Sequence, residues 1–149
     1  MPTPQSIHAG QIITDSAVLR VLNGLRDQTL PAEEWTHGAH LCAGVGLIRE
    51  VGLQKAEEEM PGFIRAFNVA TGGENTDEAG YHQTLTLFYL RSIAKFFAGR
   101  WAEPVGKLAT DLLSSNLAER GFPLQFFSKD LLFSKAARRN WVEPDLGSL

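Results

Sequence analysis

Apolar residues recur along this chain at intervals of three and four almost from end to end, the spacing of helices that each bury one face. No segment shows the alternation of period two that a half-buried strand would need. The pattern predicts an all-α protein: a single domain over residues 1–149, built as a bundle of five to six helices. Residues 1–14 read as an extended arm and 140–149 as an extended tail that packs back through Trp141.

The first helix is expected from Asp15 or Ser16 to Gln28, with Asp15 as N-cap and Val18, Leu19, Leu22 and Leu25 facing inward. Pro31 suits the first turn of a second helix, with Glu33 and Glu34 near the positive end of its dipole and a stop near Gly52. A third runs over 53–70 and carries Pro61, which predicts a kink or break near Met60. Thr71 to Gly80 is dense in turn formers and is the clearest loop. A fourth helix follows over 80–98 and a fifth over 104–118. A short helical stretch with Ser128 as N-cap then reaches Arg139.

Gly38, Ala39, Ala43, Gly44 and Gly46 give the second helix so little bulk that close contact with neighbours, rather than propensity, must hold it. That places it at the centre of the bundle.

The candidate chemistry lies on this helix and on the fourth. At about 100° of rotation per residue, Glu33, His37 and His40 fall on the stripe that buries Leu47, Ile48 and Val51, with Glu34 at its edge. On the fourth helix His82 lines up with Thr86, Tyr89 and Ile93, opposite Thr84, Arg91 and Lys95. Burying an imidazole is costly unless it binds a metal, finds a hydrogen-bond partner or does chemistry. If the two helices pack together, His37, His40 and His82 form a candidate ligand set for a divalent transition metal (zinc, iron or manganese). Glu34 or Glu33 would complete or orient that set, and Tyr81 could donate its hydroxyl to a ligand or cap the loop-to-helix junction. Glu34 and His37 match once the Glu-x-x-His pattern of carboxylate-bridged bundles; such a bundle needs two, so the chain is not assigned there.

Composition narrows the classes. At 44% hydrophobic and 21% charged residues the 149-residue chain is an ordinary globular domain, neither disordered nor fibrous. The net charge is -3 and the 14 basic residues are scattered apart from Arg138 and Arg139, which gives no reason to expect nucleic acid or an anionic membrane. No apolar run approaches a membrane span, and MPTPQSIHAGQIITDS lacks the layout of a secretory signal. Cys42, the sole cysteine, sits mid-helix and reads as packing; it excludes an internal disulfide and fits a cytoplasmic location. Gly72-Gly73 is not followed by the Gly-Lys-Ser/Thr of a phosphate loop. Phe126, Phe127, Leu131, Leu132 and Phe133 cannot share one face of a short helix, so a homodimer is one expected use of that surplus.

The expected function is a metal-dependent enzyme, hydrolase or oxidoreductase, acting on a small molecule through His37, His40 and His82. The alternative is a bundle that binds a small molecule between helices with Tyr81, Tyr89 and Leu47 in its pocket, or an interaction domain whose histidines are structural.

Overall fold

In a computed structural model, which describes residues 7–8 and 10–149, the chain is a single all-helical domain. The helices are α1 (Asp15–Asp27), α2 (His37–Val51), α3 (Leu53–Ala70), α4 (Gln83–Phe96), α5 (Val105–Leu113) and two short ones, α6 (Lys129–Leu132) and α7 (Lys135–Arg139). Short 3₁₀ turns occupy Ala32–Glu34, Asn116–Ala118 and Phe122–Gln125. No strand forms among the described residues, and no helix among them is long and apolar enough to cross a membrane.

α2 is the central element, touching α1, α3, α4 and α5, and every residue from Leu41 to Ile48 is buried. Its glycines explain the closeness. A Cβ at Gly44 would lie 3.1 Å from Ile93 Cδ1 of α4, and one at Gly46 would lie 3.0 Å from Val18 Cγ1 of α1. Cys42 is buried here, and burial pushes its thiol up to about 12, so it stays protonated and packs as a small apolar group.

Several boundaries differ from the sequence expectation, each for a local reason. α1 is capped by Thr14, whose hydroxyl accepts from Ala17 N at 3.1 Å. Asp15 instead accepts from Gly106 N at 2.7 Å and ties α1 to α5. Leu19 is exposed, and Val21 takes the inward position. Pro31 does not open α2: the chain makes a 3₁₀ turn, leaves helical geometry at Trp35 (φ -81, ψ 61), and restarts at His37 under a Thr36 cap. α3 continues through Pro61 without a break, held by buried Ala56, Met60 and Phe67 on one face. α5 ends at Leu113 rather than Ala118.

The C-terminal segment covers α4. Phe127 and Leu132 are fully buried, Phe122 and Phe126 pack on Phe88, and Phe133 alone of the surplus aromatics stays largely exposed, at 63%. The tail then crosses α4: Thr84 Oγ1 donates to Asn140 O at 2.8 Å and accepts from Val142 N at 3.2 Å. Arg91 lies over the Trp141 ring, 4.4 Å from its centroid. Thr84, on the side of α4 away from the histidine stripe, is therefore buried under the tail rather than left to solvent. Of the expected arm 1–14, residues 1–6 and 9 lie outside the described residues; Ile7 and Ile13 are buried against the bundle.

Candidate functional site

Between α2, α3, α4 and the C-terminal segment lies a cavity of about 620 Å³, and all three inward histidines line it. Leu41, Met60, Ile64, Leu85, Leu90, Ile93, Leu124 and Leu132 make most of the wall. Trp35, Tyr81, Tyr89 and Phe133 add aromatic surface, and Arg120 and Asn68 add polar groups. The stripe of α4 that the sequence assigned to His82, Thr86, Tyr89 and Ile93 is one side of this cavity. Leu47 is not; it is fully buried elsewhere in the core.

The histidines have different jobs. His82 N-caps α4: its Nδ1 accepts from Leu85 N at 3.1 Å, which puts the proton on Nε2, and Nε2 donates to the Leu132 carbonyl at 2.7 Å. Both nitrogens are thus engaged by the protein itself. His40 Nδ1 is 2.7 Å from the Thr36 carbonyl. A carbonyl only accepts, so the proton sits on Nδ1 and Nε2 is left with a free lone pair. The His40 ring stacks on Trp35 with centroids 3.8 Å apart. His37 meets Tyr89 edge-on at 5.8 Å, and its Nε2 is buried without a hydrogen-bond partner.

The carboxylates go elsewhere. Glu33 is exposed on the 3₁₀ turn and does not line this cavity. Glu34 is only 5% exposed, but both its oxygens accept from the Arg20 guanidinium of α1. Its position as the first half of Glu-x-x-His is undone by the break at Trp35, which turns it away from His37. Tyr81 is buried; its hydroxyl donates to Gln83 Oε1 at 2.5 Å and its backbone N to Asn75 Oδ1 at 3.1 Å. Asn75 Nδ2 in turn donates to Arg65 O at 3.1 Å, so the 71–80 loop is pinned to α3. Tyr81 closes the loop-to-helix junction and lends the cavity its ring.

Among the described residues no three His, Cys, Asp or Glu side chains come close enough to hold a metal. The expected zinc, iron or manganese set of His37, His40 and His82 with Glu34 does not fit this geometry: His82 has no free nitrogen and Glu34 is paired with Arg20.

All three imidazoles are held below the ordinary value of 6.5, burial being the largest cause in each. His40 falls furthest, to about 4. His40 is exposed as a residue, yet it lines the cavity, whose surrounding walls disfavour the charged form. The Arg120 charge adds to the depression at His37 and His40. Tyr89 is raised to about 12 by burial, against a smaller opposing pull from Arg120. At neutral pH the cavity therefore holds neutral imidazoles, a neutral phenol and one cation.

A pH dependence follows, with a definite sign. Groups whose folded pKa lies below the unfolded value of 6.5 stabilise the fold fully above about pH 6.5. That stability is lost as pH falls, and for His40 the loss runs down to about 4. Glu103, held at about 2 by Arg100 and Lys107, does not titrate in that window. The urea midpoint should fall steadily between pH 7 and 5, and His40→Asn should flatten part of the slope. A midpoint unchanged across that range would contradict the neutral-histidine assignment.

Sequence reasoning passed over Trp35 and Arg120. Trp35 was legible as an aromatic beside the histidines; Arg120 carried no local signal, since only the turn after α5 brings it to α2. In comparisons with known proteins, no family model, no curated protein and no solved structure matches the chain.

Proposed function

We propose that this domain binds one compact, largely apolar small molecule in the cavity between α2, α3, α4 and the C-terminal segment. The observation that carries this reading is the cavity itself, about 620 Å³ with apolar walls and a few polar atoms that the fold leaves unpaired. That volume is in the range of ordinary ligand sites, which are apolar with a few placed polar groups. Buried polar atoms without partners are rare in folded proteins. Here His37 Nε2 is buried and has none; His40 Nε2 and the Tyr89 hydroxyl, on residues that line the same cavity, hydrogen-bond to no described residue and are open to a ligand. His82 and Tyr81 act as structural members of the wall, through their own hydrogen bonds. His40, locked by Thr36 and stacked on Trp35, is a pre-oriented acceptor for a ligand hydroxyl or amide.

The neutral dye N-phenyl-1-naphthylamine tests this. It should bind at one site per chain, with blue-shifted emission, and quench Trp35 fluorescence. Ile64→Trp and Leu85→Trp, which fill the cavity from α3 and α4, should each abolish that binding while the helical circular dichroism is retained. Absence of binding, or binding unchanged in both folded variants, would refute the cavity as a ligand site.

A further inference from the structure

We infer that the cavity's ligand is an amphipathic monoanion, its single negative head held by Arg120 and its apolar body lying on Ile64, Met60 and Leu85. This rests on the ligand-binding reading above and adds a charge requirement to it. Among the described residues, Arg120 is the only formally charged side chain lining the cavity; no aspartate or glutamate lines it there. Eight of the chain's nine arginines are engaged within the fold. Five pair with carboxylates, Arg49 and Arg138 donate to backbone carbonyls, and Arg65 stacks over Tyr81. Arg120 alone has no hydrogen bond, ion pair or aromatic partner among the described residues.

Its place is also distinctive. Arg120 and His37 together line both the main cavity and a second, smaller one of about 180 Å³ next to the Ile7 backbone. Arg120, an exposed residue, therefore stands beside His37 where the two cavities adjoin, at the edge of an otherwise largely apolar chamber. One uncompensated cation there favours one negative charge, and a guanidinium fork suits a carboxylate or sulfonate head through paired N–H···O bonds. A dianion such as a phosphate monoester would bring a second charge for which the lining supplies no cation. The Tyr89 hydroxyl, which lines the same cavity, can donate a further hydrogen bond to the head.

Two dyes sharing one skeleton separate the charge from the apolar body: neutral N-phenyl-1-naphthylamine and its sulfonate, 8-anilinonaphthalene-1-sulfonate. Both should bind the full chain, the sulfonate at least about tenfold more tightly. Arg120→Gln should weaken the sulfonate about tenfold, so that the preference is lost while the neutral dye still binds and the protein stays folded. Equal affinities in the native protein, or a preference that survives Arg120→Gln, would overturn the anion requirement while the ligand-binding reading stands. Failure of both dyes to bind would overturn both.

Discussion

Phe88→Ala is expected to cost about 3–5 kcal/mol of unfolding free energy, the full penalty for truncating a buried phenylalanine. Phe88 is completely buried on α4, and its ring centroid lies 5.3 Å from that of Phe126, 5.4 Å from Phe127 and 5.6 Å from Phe122. Those three rings come from the segment that leads into α6 and α7. Removing the ring opens a cavity on the side of α4 away from the ligand chamber, and it also unseats the wall of that chamber carried by Leu124 and Leu132. Two readouts should move together: the urea midpoint falls, and proteolysis within residues 120–146 accelerates. A loss under about 1 kcal/mol would mean that the C-terminal aromatics are not anchored on this ring.

Gly106→Ala should be comparably damaging although it adds a single methyl group. A Cβ there would stand 2.6 Å from both Asp15 N and Ile13 O, and 2.7 Å from Thr14 C. These are backbone atoms, so no rotamer change relieves the overlap and α5 must back away from the start of α1. The displacement would stretch the Asp15 carboxylate contact to Gly106 N and the Ile13 N to Thr110 Oγ1 hydrogen bond, now 2.7 and 2.8 Å. The expected cost is at or above the upper end of the ~1–3 kcal/mol usual for overpacking. A Gly106→Ala protein with an unchanged denaturation midpoint would show the α1–α5 junction to be soft.

The helical fold was legible because burial writes a 3.6-residue period into each long element. α3 could be read at 53–70, and the position of α2 in the middle of the bundle followed from Gly44 and Gly46, which only close helix contact would tolerate. Helix starts were less legible. At α1 and α2 the chain uses Thr14 and Thr36 as caps in preference to Asp15 and Pro31, a choice settled by contacts with α5 and with Ile7. The shift at α2 matters most. Counting helical phase from Glu33 carried it and Glu34 onto the histidine stripe, whereas the turn at Trp35 breaks the phase and hands Glu34 to Arg20.

The inward phase of His37, His40 and His82 could be anticipated from periodicity, because helical phase is a local property; their gathering around one space could not, since it depends on α4 packing on α2. Nor could what each ring does there. His82 as a helix cap needs the Leu132 carbonyl, fifty residues away, to accept the hydrogen bond from its Nε2–H. The Arg120 position likewise depends on turns whose direction is fixed only by packing on α2 and α5.

The way residues 122–149 cover α4 also orders events during synthesis. α4 leaves the ribosome with Phe88 bare, the Thr84 hydroxyl unpaired and the His82 Nε2–H without its acceptor, because all three partners lie downstream. At ~5–20 residues per second, the chain from the end of α4 to Trp141 takes roughly 2–10 s to appear. Through that interval the nascent protein displays an aromatic face and an open chamber. The chamber's fourth wall is thus the last to form, since Leu124 and Leu132 follow α4 in the chain.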